Sequence, residues 1–291
     1  MARLEPSLGP VGGPPTPLEG GITNRNFKVS LGGVDYVLRL HGKDTELLGI
    51  SREAERTANE AAARLGIAPE VAGGFDGGLV TRFLACRQLA AEELAARVEE
   101  VARALRAFHD SGTRLPVVFD VPALLRRYAA LVRERGGMLP AAYAQAADAA
   151  ERIVRALPAR APRPCHNDLL AGNLLSDPRG ERVMIVDWEY AGMGEPCFDL
   201  GNLSVNNGFD EGADARLLAA YHGEQPTPAQ VAELRLMRVL SDAREGAWGV
   251  MQGLVSDLDF DFGGYARRHF DRLERAVGGP EFDRWLATVG R

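Results

Sequence analysis

The stretch His166-Asn167-Asp168-Leu169-Leu170-Ala171-Gly172-Asn173 decides how this chain of 291 residues is read. It has the form H-N-D-x-x-x-G-N. Nineteen residues after Asp168, the apolar run Val183-Met184-Ile185-Val186 ends in Asp187, with Trp188 and Glu189 behind it. An Asp that can take a proton, an Asn five residues on and an Asp at the end of the next strand make up the minimum set for kinase-type phosphoryl transfer.

The chemistry assigns each group an expected role. Asp168 is the candidate catalytic base. A free Asp titrates near pKa ~4, so it is ionised at neutral pH, orients an acceptor hydroxyl and accepts its proton late. Asn173 and Asp187 are the candidate magnesium ligands, because Mg²⁺ prefers hard oxygens and keeps several waters, so few protein groups suffice. Glu189 is expected to hydrogen-bond nearby backbone or the acceptor. His166 is expected to hydrogen-bond backbone and set the loop conformation rather than to catalyse.

Upstream, Leu18-Glu19-Gly20-Gly21-Ile22-Thr23-Asn24-Arg25-Asn26 leads into a β run. Gly21 lets backbone N–H groups approach a phosphate, and Thr23, Asn24 and Asn26 add donors. The turn matches neither G-x-G-x-x-G nor G-x-x-x-x-G-K-[ST]. Gly32-Gly33 then predicts a hairpin with Val34-Asp35-Tyr36-Val37-Leu38-Arg39-Leu40 as its second strand. Arg39 is a charge among apolar strand residues and needs a partner. A nucleotide phosphate and a Glu of the following helix would both serve. Glu60 lies about 1.4 turns past Glu55 and points elsewhere, while Glu53 and Glu55 are ~200° apart, so only one of these two faces Arg39.

Ser51 is a good N-cap for a helix running to Leu65, ended by Gly66. A second hairpin surrounds Gly73-Gly74 and Gly77-Gly78, with 79–84 as its second strand. The first ~85 residues thus read β-β-α-β-β, behind a Pro- and Gly-rich lead-in with one short strand. From Leu89 the pattern turns to Ala-, Leu- and Arg-rich helices over 91–109, 121–135, 140–157, 211–222, 228–253 and 262–277.

Composition bounds the class. Hydrophobic residues make up 46% and charged residues 25%, as in an ordinary globular protein that can bury a sizeable core. A net charge of −6 argues against a nucleic-acid binder. Cys86, Cys165 and Cys197 are too few and too widely spaced for a disulfide framework or a zinc site, which points to a reducing cytoplasm. The N-terminus lacks an apolar signal region, and no apolar run is long enough to span a membrane.

Taken together, H-N-D-L-L-A-G-N, M-I-V-D-W-E-Y and F-D-L-G-N (Phe198 to Asn202) resemble the bacterial choline/ethanolamine kinase family. That family belongs to the aminoglycoside-phosphotransferase-like branch of the protein-kinase fold. The likeness runs from Leu18 to Tyr265 and includes Arg39 where protein kinases carry Lys. The resemblance implies an α+β, bilobal fold. Residues 1–84 would form a small β-rich nucleotide-binding lobe, and 85–291 a larger helical lobe for catalysis and acceptor binding. It implies ATP and Mg²⁺ in the cleft, Glu55 as the helix partner of Arg39, and an interlobe hinge at Thr81-Arg82-Phe83-Leu84 whose backbone pairs the adenine. It makes His109 structural and Asp199 an anchor of the active loop; a helix N-cap is the other reading of Asp199.

The acceptor would be a small, possibly cationic alcohol: choline, ethanolamine or a related amino alcohol. Choline kinases hold the ammonium group in aromatic walls, and Tyr190, Phe209, Trp248 and Tyr265 are the candidate rings. The helix around Trp248 departs from the choline pattern. Arg244 stands one turn before Trp248 and would repel a cation unless Glu245 or Asp242 pairs with it. An aminoglycoside, thiamine or another hydroxylated metabolite is the alternative acceptor, for which Asp257, Asp259 and Asp261 offer carboxylates. A non-catalytic nucleotide-binding protein is the reading from another class, opposed by the retained Asp168, Asn173 and Asp187.

Overall fold

The computed structural model describes residues 5–18, 24–42, 45–75 and 77–290. Gly21 and Thr23 of the expected phosphate turn lie outside the described residues.

The N-terminal part is a five-stranded antiparallel sheet. Its strands are β1 (Thr16–Leu18), β2 (Arg25–Leu31), β3 (Val34–Leu40), β4 (Val71–Phe75) and β5 (Gly78–Arg82), in the order β1-β2-β3-β5-β4. Gly32 and Gly33 both have positive φ, +57° and +79°, the turn type whose twist matches a two-residue hairpin. Side chains alternate across a strand. Tyr36 and Leu38 of β3 therefore join Val29, Leu31 and Val80 in a small apolar core. Arg39 falls on the other face, toward the cleft.

The Arg52–Arg64 helix follows, capped by Ser51, whose hydroxyl accepts from the Ala54 N–H. Its buried Ala54, Ala58, Ala61 and Ala62 lie on one helical stripe. That stripe shares a core with Leu169, Leu174, Ile185 and Trp188 of the second half, so the helix binds the two halves together. The Ile185 N–H also donates to the Ile67 carbonyl at 2.7 Å.

The remainder is mainly helical. Short strands β6 (Arg87–Gln88), β8 (Leu174–Ser176) and β9 (Val183–Ile185) form one sheet, and β7 (Arg163–Cys165) pairs with β10 (Gly192–Gly194). At its centre is the Pro228–Val255 helix, started by Thr227 with a reciprocal Gln230 cap. Close helix approach depends on glycine: a Cβ on Gly201 would lie 2.4 Å from the Cβ of Met237.

The expected α+β architecture is present, with several local corrections. The helix expected over 91–109 breaks at Arg97 into Ala91–Ala96 and Val98–His109. A 3₁₀ turn, Thr45–Leu48, precedes Ser51. The helix Pro280–Val289 was not expected, although Pro at its first position is a start signal. A helix over Pro196–Asn206 contains Asp199 inside its first turns rather than at its N-cap.

Candidate active site

Two backbone residues set the catalytic loop. Among the described residues, Asn167 (φ +67°) and Asp187 (φ +66°) are the only non-glycine residues in the left-handed region, a conformation that costs energy and needs fixing by its surroundings. The fixing groups are visible. Asp199, fully buried, accepts from the His166 N–H (2.8 Å) and the Asn167 N–H (2.7 Å). Asn202 Oδ1 accepts from the Leu169 N–H at 2.5 Å. The Asn167 amide donates to the Tyr190 carbonyl at 3.0 Å.

His166 and His109 both support the loop. The Nε2 of His166 lies 3.0 Å from the Val186 carbonyl, and its Nδ1 accepts from the Asp168 N–H at 3.2 Å; this pairing assigns the proton to Nε2. Burial lowers the His166 pKa, which keeps the ring neutral. His109 Nε2 lies 2.9 Å from Asp199 Oδ2, and Nδ1 lies 2.8 Å from the Tyr221 hydroxyl. Burial alone would raise the Asp199 carboxyl; the His109 bond outweighs it and holds the group below its ordinary value. Asp199 is thus placed as a loop anchor, and the N-cap alternative is set aside.

The residues expected to act meet in one cavity of about 190 Å³, lined by Asp168, Asn173, Asp187, Glu189, Tyr190, Arg244, Glu245, Trp248 and Tyr265 among others. Strand pairing brings Asn173 and Asp187 together: Leu174 faces Ile185, and the Val186 N–H donates to the Asn173 carbonyl at 3.0 Å. Asn173 Nδ2 donates to the Asp168 carbonyl at 2.8 Å, which leaves the amide oxygen as its ligand face. Burial pushes the Asp168 carboxyl up against the pull of Arg244.

On the opposite wall Arg39 bridges Glu55 (3.2 Å) and Asp187. Glu53 is exposed and Glu60 pairs with Arg56 instead, so Glu55 alone of the three is the helix partner. Burial disfavours the charged Arg39, but Asp187, Glu55 and Glu189 outweigh it and keep the guanidinium ionised. Glu189, two residues past Asp187, is buried. Its Oε2 accepts from Asn24 at 2.8 Å and from Arg52 at 3.5 Å, a link between the two halves. Asn24 is therefore turned to a carboxylate, and its Oδ1 accepts from the Gly42 N–H. Asn26 lies opposite Arg39 in the β2–β3 ladder.

Thr81 lies in β5, and the Phe83 N–H donates to the Asp35 carbonyl at 3.0 Å, so that donor is not free for an adenine. Phe209 is buried in the core, away from the cavity. Tyr190, Trp248 and Tyr265 do line it. Trp248 Nε1 donates to the Tyr190 hydroxyl at 2.8 Å, and the Tyr265 hydroxyl to Glu245 Oε2 at 2.8 Å. Asp242 pairs with His269 and Arg272; Glu245 is the partner of Arg244. Asp257, Asp259 and Asp261 are exposed and outside the cavity, and Asp261 caps the Phe262–Val277 helix. Arg244 and Glu245, weighed from the sequence as a possible pair in the acceptor pocket, both line the cavity; Arg52 was not anticipated, because its contact with Glu189, 137 residues away, leaves no local signature.

A profile of the phosphotransferase enzyme family matches residues 15–234. Protein LicA of Haemophilus influenzae is 27% identical over 87% of this chain and 76% of its own length. Probable choline kinase 1 of Arabidopsis thaliana is 26% identical, over 88% of this chain and 84% of its own. A solved choline/ethanolamine kinase family protein from Mesorhizobium loti superposes with a TM-score of 0.82 at 33% identity, covering 99% of this chain and 97% of that one. With its catalytic loop, strand-end Asp187 and two-part architecture in that company, the chain belongs to the phosphotransferase enzyme family, in its choline/ethanolamine kinase branch.

Proposed function

We propose that this protein is an ATP- and magnesium-dependent kinase that transfers the γ-phosphoryl group to the hydroxyl of a small amino alcohol of the choline and ethanolamine class. The observation that carries the reading is the convergence of Asp168, Asn173 and Asp187 on one cavity that continues between Tyr190, Trp248 and Tyr265. The names of the similar proteins support the acceptor class. No helix among the described residues is long and apolar enough to cross a membrane, and we place the enzyme in the cytoplasm.

The residues fit a magnesium ion. The Asp187 carboxylate is partly exposed to the cleft, and among the described residues the Asn173 amide oxygen accepts no hydrogen bond, so both offer hard oxygens of the kind Mg²⁺ takes. When bound, the ion neutralises charge on the phosphates. Asp168 holds the acceptor hydroxyl and takes its proton as the oxygen–phosphorus bond forms and the bond to the β,γ-bridging oxygen breaks. Arg39, held by Glu55, offers its fork of donors to the phosphates. Gly21, Thr23, Asn24 and Asn26 are proposed to close over them, with Asn24 leaving Glu189 to do so. The segment around Thr81 and Phe83 is proposed as the hinge, meeting adenine through carbonyl groups because the Phe83 N–H is engaged. We keep residues 1–84 and 85–291 as the two functional lobes.

The test is an ATP-consumption assay with Mg²⁺ and a panel of alcohols, on wild type and Asp168→Ala. The variant is expected to lose nearly all turnover while still binding nucleotide. Full activity in the variant would sink the assignment of Asp168. Nucleotide binding with no alcohol-dependent turnover in wild type would favour the non-catalytic reading.

A further inference from the structure

The acceptor cavity contains a side chain that the reaction above does not use. Arg244 is 1% exposed. Its Nη1 donates to Asp168 Oδ1 (3.1 Å) and to Glu245 Oε1 (2.6 Å). Its guanidinium carbon lies 4.2 Å from the centre of the Tyr190 ring. The remaining nitrogens, Nε and Nη2, are buried and have no hydrogen-bond partner. Buried charged donors without acceptors are costly and rare in folded proteins.

Which donors are free matters. Nε and Nη2 form one edge of the planar guanidinium, the edge whose two parallel N–H groups match the two oxygens of a carboxylate. Arg244 thus lines the cavity, has its outer nitrogen tied to the catalytic Asp168 and to Glu245, and keeps its bidentate edge buried and unpaired.

The same arrangement removes the features that a quaternary ammonium needs. A cation is held by ring faces and a carboxylate. Here one face of Tyr190 already carries Arg244, and Glu245 is engaged by Arg244 and Tyr265. Trp248 and Tyr265 meet edge to face at 5.5 Å. A bound trimethylammonium group would stand beside a fixed guanidinium.

We propose that Arg244 is the specificity residue of the acceptor site, selecting an alcohol that carries a carboxylate over one that carries only a quaternary ammonium. The inference rests on the alcohol-kinase reading and narrows its substrate class.

The experiment compares serine, homoserine and carnitine with ethanolamine and choline as acceptors, in wild type, Arg244→Gln and Arg244→Lys. Wild type is expected to favour at least one carboxylated alcohol in kcat/KM. Arg244→Lys keeps a positive charge for Asp168 and Glu245 but lacks the bidentate edge. It should raise KM for the carboxylated acceptor about 10- to 100-fold, the range for a charged hydrogen-bonded contact. Its KM for ethanolamine should change less, so that the ratio between the two acceptors falls. The ratio between acceptors stays readable if Arg244→Gln folds poorly or both variants lose kcat. A wild type that uses choline or ethanolamine better than every carboxylated alcohol overturns the proposal, as does a ratio unchanged in Arg244→Lys. Calorimetric titration of the same alcohols, with a non-hydrolysable ATP analogue and Mg²⁺, separates the two readings. If no alcohol is phosphorylated, the kinase reading fails, and binding of a carboxylated alcohol that is lost in Arg244→Lys still supports the role of Arg244. Equal binding to both proteins, or to neither, rejects it.

Discussion

Replacing Asp199 tests the claim that one buried carboxylate holds the catalytic loop in shape. Its Oδ2 receives the His166 N–H and the His109 ring, and its Oδ1 receives the Asn167 N–H. Asp199→Ala orphans all three donors. At about 1–3 kcal/mol for each buried unsatisfied group, the loss is roughly 3 kcal/mol or more, a large part of the ~5–15 kcal/mol that a folded protein has. Asp199→Asn is milder. If its amide nitrogen takes the Oδ2 place, His109 can change tautomer but the His166 N–H is left facing a donor; in the other orientation it is the Asn167 N–H. Either way one donor is orphaned, at about 1–3 kcal/mol.

The assay for the Asp199 variants is urea denaturation followed by tryptophan fluorescence, since Trp188 is buried against His166 at 4.6 Å between ring centres. Midpoints should fall in the order wild type, Asn, Ala. The pH dependence has a definite sign. The folded-state pKa of Asp199 is depressed, so its contribution is complete above the unfolded value near ~4 and is lost as pH falls through the lower folded value. The gap between wild type and Asp199→Asn should therefore be flat above pH ~4 and narrow below it. Equal midpoints for wild type and Ala would refute the anchoring role. So would a gap that widens in acid.

Asp187→Ala should abolish magnesium-dependent nucleotide binding in calorimetry, and unchanged binding would remove it as a metal ligand. Arg39→Met should raise KM for ATP about tenfold or more by removing charged donors to phosphate, with the acceptor KM little altered; the reverse pattern would place Arg39 elsewhere in the reaction. Trp248→Phe deletes the bond to the Tyr190 hydroxyl and should move the acceptor KM while leaving the ATP KM in place, as read from initial rates with each substrate varied. Gly201→Ala brings a Cβ against Met237 in both side chain and backbone, so it should lower stability by about 1–3 kcal/mol in chemical denaturation; an unshifted midpoint would mean that the two helices can separate freely.

What could be read from the sequence was local. Ser51 and Gly66 bracket a helix by capping chemistry that acts within a few residues, and the helix found, Arg52–Arg64, lies between them. The Glu211–His222 helix has the bounds its pattern predicts. The Gly32-Gly33 turn sets its hairpin register, which puts Arg39 on the cleft face. What could not be read was pairing across distance. Nothing in the string links Asn24 to Glu189, 165 residues apart, or Arg244 to Asp168, 76 apart. The break at Arg97 was missed because a single residue leaving helical geometry does not interrupt an Ala-, Leu- and Arg-rich pattern. The role of Asp199 depends on two backbone N–H groups 32 and 33 residues earlier, which composition and periodicity do not report.

The Pro228–Val255 helix carries Ser241, which holds Asn202, then Arg244 and Glu245, then Trp248. These positions recur every three to four residues and so form a single stripe. Arg39, Asn173 and Asp187 come from other elements. The acceptor side of the cleft can therefore diverge by point substitutions along one rigid rod while the phosphate-handling side stays untouched. Descendants of such a gene could change their diet of alcohols without rebuilding the engine that phosphorylates them. Libraries meant to retrain this protein can start from that stripe, with Tyr190 and Tyr265 of neighbouring elements added next.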